Sequence, residues 1–184
     1  MKKNNPFKVH NINYLSPSSV NTYISDMPMW VARYLFGVKS SSGAGAVRGI
    51  VQEAMLADKY NTGKFDFDSL DTKFMSMCED FMLNLEDVKV EKERKSLEKF
   101  GKVIDENFKY KDLKQYQEKV EVQLDDLPIP FMGYIDFRFN NTIVDLKTTT
   151  RMPSQPSEAQ KRQMALYSMA YPNNGIDLFF ATPK

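Results

Sequence analysis

Apolar residues recur every three to four positions in the first half of the chain and every two in the second. Ser16 before Pro17 marks a helix start, since serine caps free N–H groups and proline suits a first turn. Val20, Tyr23 and Ile24 follow at helical spacing. Pro28 restarts a helix, whose apolar run Trp30, Val31, Tyr34, Leu35 and Phe36 is closed by Gly37. The small residues from Ser40 to Ala46 predict a loop. From Val47 to about Tyr60 a helix is predicted, with Val47, Ile50, Val51, Ala54, Met55 and Ala57 as its buried stripe and Glu53 in the middle of it. A charged helix or helix pair spans Ser69 to Asn107, with Phe74, Met77, Cys78, Phe81, Met82 and Leu85 as its apolar face. Residues 1–14 lack such a pattern and are expected to be a flexible N-terminal segment.

The second half reads as strands. Gln117 to Leu124 alternates and ends in the turn Asp125-Asp126-Leu127-Pro128, and two further runs, FMGYIDFRF and TIVDLKTT, complete a meander. Ser157 is a good N-cap for a helix reaching Ala170, with Ala159, Gln163, Leu166 and Ala170 on one broad face. Ile176 to Pro183 is an apolar run suited to a buried central strand, parallel to its neighbour because a helix precedes it. The order predicts one α/β (α+β) domain over residues 1–184, helical over 15–110 and built on a sheet over 115–184. A buried strand so near the end would leave an edge or a face bare, so self-association there, or further C-terminal elements, is expected.

The hairpin GYIDFRFNNTIVDLKT carries acids where apolar residues would be ordinary. Asn140-Asn141 supplies the positive φ angles of a two-residue turn, which sets Phe139 opposite Thr142. Counting outward places Asp136 opposite Asp145 and Tyr134 opposite Lys147, all on one face, with Ile135, Phe137, Phe139, Val144 and Leu146 on the other. Opposed carboxylates repel unless something neutralises them, and a divalent cation with oxygen ligands does so. An exposed hairpin with Lys147 and Arg138 as salt-bridge partners would use the same residues, so the rest of the chain must decide.

Composition narrows the choice. Of 184 residues 42% are hydrophobic, enough for a core, and 25 Lys plus Arg against 24 Asp plus Glu leave a formal charge of +1. No global basic field announces a nucleic acid, so any such surface is local. One Cys and one His rule out thiolate clusters and make histidine-based catalysis a poor fit. Neither a membrane span nor an apolar leader is visible, which predicts a soluble, cytoplasmic protein.

GYID, IVDLKT and QMALYSMA, in that order, resemble the motifs of the PD-(D/E)XK nuclease superfamily in its RecB-like, phage-exonuclease-like branch. SPSSVNTY, WVARYLFG and RGIVQE are similar to the amino-terminal helices of that branch, so the resemblance covers most of the chain. It implies a restriction-endonuclease-like core, a central mixed sheet with an antiparallel catalytic hairpin flanked by helices. Asp136 matches the acid of the first active-site strand, and Asp145-Leu146-Lys147 the D/E-x-K of the second. Glu53 matches a helical acid that other members replace by histidine, and Gln163 with Tyr167 match the Q-x-x-x-Y of the following helix. The resemblance implies that Glu53, Asp136, Asp145 and the Leu146 carbonyl hold one or two Mg²⁺ or Mn²⁺ ions and that Lys147 positions the attacking water. Gln163 and Tyr167 would hydrogen-bond a substrate phosphate or the lysine. Arg48, Arg151, Lys161 and Arg162 are expected around the cleft as phosphate contacts. The implied activity is a metal-dependent DNA nuclease, an exonuclease leaving 5′-phosphate ends. Ile135 stands where the superfamily's name has proline. Met27-Pro28 stands where some relatives have an iron–sulfur cysteine, so no such cluster is expected. Two other readings keep the fold: a catalytically silent nucleic-acid-binding module, and a hydrolase of small phosphoesters.

Overall fold

The computed structural model describes residues 5–38 and 42–183. Its helices are α1 Pro6–Val9, α2 Pro17–Ser25, α3 Met27–Tyr34, α4 Ala44–Thr62, α5 Leu70–Asp80, α6 Val88–Asn107 and α7 Glu158–Ala170, and its strands β1 Gln115–Val122, β2 Phe131–Arg138, β3 Thr142–Thr148 and β4 Gly175–Ala181. The sheet runs β1-β2-β3-β4, antiparallel up to β3 and parallel between β3 and β4, with α7 as the crossover. Helices α4 and α6 cover one face, with α5 packed on both of them, and α7 with α2 covers the other. The larger core lies on the α4–α6 side and a smaller one under α7. The result is a mixed α/β fold with a mixed sheet between helical layers, as the pattern predicts.

Local chemistry explains the helix ends. Ser16 accepts the Ser19 N–H at 3.1 Å while Ser19 Oγ takes the Ser16 N–H at 2.9 Å, a reciprocal cap. Asp26 caps α3 through the Met29 N–H at 2.9 Å. Ser69 to Asn107 resolves into the pair α5 and α6. Helix α4 starts at Ala44, three residues before the predicted start, because the small residues read as a loop are compatible with a first turn behind Gly43. Ser40 and Ser41 of that loop lie outside the described residues.

Four expectations need correction. Residues 5–14 are tied down rather than loose: they carry α1, Asn5 Nδ2 donates to the Pro128 carbonyl at 3.3 Å, and Leu15 bridges Phe131. Residues 1–4 of the segment lie outside the described residues. In α4, Ile50 is exposed while Arg48 and Gln52 are buried, because Glu93 and the Leu97 carbonyl satisfy them. β4 is an edge strand among the described residues and mostly half-buried, with only Ala181 fully buried, since β3 alone pairs with it.

The fourth correction concerns the hairpin. Phe137↔Val144 and Arg138↔Ile143 pair in the predicted register, although neither Asn140 nor Asn141 takes the positive φ expected of the turn, and the expected pairs Asp136–Asp145 and Tyr134–Lys147 are not part of the ladder. Between β1 and β2 the ladder skips one pair, Gln117 and Asp136, and Gln117 has φ +51. A left-handed residue in a strand breaks the alternation of faces. Phe137 and Phe139 therefore enter the main core with Val144 and Leu146, whereas Ile135 packs on the opposite side with Val120, Ile143 and Tyr167.

Candidate active site

Three acids and one lysine meet where α4 crosses the hairpin. Gly49 lets the helix approach β3 closely: a Cβ there would lie 3.3 Å from Thr148 Oγ1. Glu53, one turn further along α4, is thereby carried towards the strands. Asp145 on β3 is 0% exposed and Asp136 on β2 is 8% exposed. Their closeness follows from the interrupted ladder. Continued pairing would aim the Leu146 N–H at the Ile135 carbonyl, yet it donates to Oδ2 of Asp136 at 3.0 Å. A side chain has replaced a rung.

Lys147 Nζ stands 2.6 Å from Asp145 Oδ2. Asp145 Oδ1 is buried with no hydrogen-bond donor. Burial pushes the Asp136 carboxyl up to about 8, with the Asp145 and Glu53 charges adding to the effect. Burial likewise raises Glu53 against the hydrogen bond from Gln117 and the charge of Lys147, and raises Asp145 against Lys147. Lys147 itself would be lowered by burial, but the carboxylates of Asp145, Asp136 and Glu53 together hold it above its ordinary value. Three carboxyls facing one ammonium in a low-dielectric site leave negative charge uncompensated.

That surplus is what a divalent cation would neutralise. Among the described residues no group of three or more His, Cys, Asp or Glu side chains is placed so that together they could hold a metal ion. A hard ion that keeps several waters needs only one or two carboxylates, and the donor-free Oδ1 of buried Asp145 suits it. The residues present fit Mg²⁺ or Mn²⁺ in an open arrangement.

The remaining expected residues divide. Gln163 Nε2 donates to the Tyr167 hydroxyl at 2.7 Å, and that hydroxyl donates to the Tyr134 carbonyl. The pair thus braces β2 two residues from the skipped rung, and both line a cleft of about 340 Å³ with Tyr14, Ser18, Asn21 and Tyr134. A larger hollow of about 800 Å³ between α7 and β4 contains none of the acids. Lys161 lines that hollow, paired with Glu158 at 2.7 Å, so it faces away from Gln163. Arg162 is half-buried, with Nε donating to Asn21 Oδ1 at 2.6 Å. Arg151 is exposed just beyond β3. Arg48 is not at a rim. It is 4% exposed, forms an ion pair with Glu93, donates to the Thr148 carbonyl at 3.1 Å and lies 4.1 Å over the Phe100 ring.

Two residues escaped the sequence reading. Gln117 Nε2 donates to Glu53 Oε1, and the Tyr116 hydroxyl also reaches Glu53. Alternation along β1 marked neither, because the residue that breaks it has no turn-like chemistry.

The sequence matches the model of the PD-(D/E)XK nuclease superfamily over residues 14–178. No curated protein gives a match. Among solved structures, the chain is similar to a crystal structure from Eubacterium rectale named "Putative exonuclease", with 15% identity, a TM-score of 0.62, and coverage of 98% of this chain and 71% of that one. At that identity the likeness concerns the fold. The family match takes in α4, the hairpin and α7, the three elements that assemble the acids and their brace, and the chain belongs to the PD-(D/E)XK nuclease superfamily.

Proposed function

We propose that this nuclease is a divalent-metal-dependent deoxyribonuclease that removes nucleotides from DNA ends and leaves 5′-phosphates. The observation that carries the metal dependence is the excess of buried carboxyls over bases, with Asp145 Oδ1 lacking any donor. The printed name of the Eubacterium rectale protein supports the exonuclease reading.

Asp145, Asp136 and Glu53, with the Leu146 carbonyl, would hold one or two Mg²⁺ or Mn²⁺ ions. Such an ion, when bound, polarises the scissile phosphate and lowers the pKa of a water. Asp136 is fixed for this by the Leu146 N–H, which leaves Oδ1 free of that bond. Lys147, on the same strand as Asp145 and reaching past it, holds the attacking water and keeps its positive charge, since the surrounding acids raise its pKa. Gln163 and Tyr167 support β2 and present donors and acceptors to a phosphate in the adjoining cleft. Arg151 and Arg162 are the cationic groups near enough to the sheet end and α2 to take backbone phosphates. Binding should therefore weaken as salt rises.

End-labelled single- and double-stranded DNA incubated with Mg²⁺, Mn²⁺ or EDTA tests the reading. Progressive shortening from an end with either ion, and none with EDTA, is expected. Cleavage that persists in EDTA, or binding without cleavage under every condition, would end the proposal.

A further inference from the structure

We propose that Gln117 is a positioning residue, which holds Glu53 in place as a metal ligand without neutralising it; this rests on the metal-dependent reading above. Gln117 has φ +51 and is the positive-φ residue that lies within a strand among those described; Asn11, Met82 and Asp112 lie in turns or bends. A non-glycine residue in this conformation costs about 1–2 kcal/mol. The ladder also loses a rung there, opposite Asp136. No turn needs this geometry, since β1 continues in register on both sides.

What the distortion accomplishes is visible at the side chain. It turns the amide out of the alternation of β1 and onto Glu53, where Nε2 donates to Oε1. Oε2 takes no part in that bond, and the Tyr116 hydroxyl reaches the same carboxyl. The choice of donor matters: Glu93, on α6 in the same helical layer, is held by the guanidinium of Arg48, and its charge is spent in that pair. An amide fixes a carboxylate equally well in space yet adds no positive charge, so Glu53 keeps its full attraction for a cation.

The test uses Gln117→Gly and Gln117→Ala in the full chain. Glycine accepts a positive φ at no steric cost, so Gln117→Gly should keep or raise the metal-free melting temperature while losing the amide. Mn²⁺ affinity by calorimetry should fall about tenfold or more in both variants, the range for groups that orient metal ligands. kcat should fall with it at limiting Mn²⁺, with KM for DNA unchanged. Wild-type Mn²⁺ affinity in Gln117→Gly would overturn the assignment alone. Wild-type protein that binds no Mn²⁺ would overturn both the assignment and the metal-dependent reading.

Discussion

Helix α4 carries two charged residues turned inward, buried Arg48 and half-buried Glu53, and they belong to clusters of opposite character. Around Arg48 the charges balance. The guanidinium meets Glu93, the Thr148 carbonyl and the face of Phe100. Around Glu53 they do not, since Asp136 and Asp145 join it and only Lys147 opposes them. A charge that is buried and matched holds two elements together, here α4 to α6 and β3. A group of like charges that is buried and unmatched is a cost in the metal-free chain, tolerated where a ligand completes it. The difference lies in stoichiometry rather than burial, and it tells which cluster is structural.

Removing one residue from each cluster should separate them sharply. In the Glu53 cluster the largest effect is expected from Asp145→Ala, which should abolish both DNA cleavage and Mn²⁺ binding. Lys147→Ala should lower turnover by about 10²–10⁴-fold, the usual worth of a group serving a reacting water. Its Mn²⁺ affinity should hold or rise, because a competing cation has gone. Calorimetry with Mn²⁺ alongside the DNA assay reads both quantities, and equal loss of affinity in the two variants would contradict separate roles.

In the Arg48 cluster the effect should be on the fold. Arg48→Ala leaves half-buried Glu93 without its partner, a loss of up to about 3 kcal/mol, the low end of the cost of breaking buried pairs. Chemical denaturation should show it as a lower midpoint with unchanged slope. Mn²⁺ affinity should stay within a few-fold of wild type. A variant that folds normally but no longer binds Mn²⁺ would move Arg48 into the functional cluster and erase the contrast.

Much of this was legible in the sequence because the physics was local. The two-residue loop Asn140-Asn141 sets the register at Phe137↔Val144, though without the positive φ angles expected of it, and the Ser16 and Ser157 caps fix two helix starts. The acids Asp136 and Asp145 stand out as polar positions in apolar strands. Arg48 was misplaced because helical periodicity places a residue on a face but does not say whether a partner waits there, and Glu93 lies on a different helix. Ile135 was assigned to the wrong face, and Gln117 went unnoticed, because the ladder is interrupted at Gln117 and Asp136, where strict alternation along either strand no longer holds. Such a break leaves no trace in spacing.

The subtlest expectation concerns protons. Asp136 titrates near 8 in the folded chain against an ordinary 3.8, chiefly through burial. Between these values the folded state holds a proton that the unfolded state has released. Stability from this group is therefore fully present below about pH 4 and is lost as pH rises through about 8. Burial moves Glu53 and Asp145 in the same direction. Metal-free protein should thus melt at lower temperature as pH climbs through this window, and saturating Mn²⁺ should flatten the decline by occupying the place of the protons. Asp136→Asn sharpens the test. Its amide oxygen can still accept the Leu146 N–H, yet no charge develops, so at pH 8 the metal-free variant should exceed wild type by about 1–2 kcal/mol while losing activity. The gain should shrink towards pH 5, where wild-type Asp136 is itself neutral. A difference between the two proteins that stays constant across the window would mean that Asp136 carries no surplus charge, and the distinction between the two clusters would rest on Asp145 and Glu53 alone.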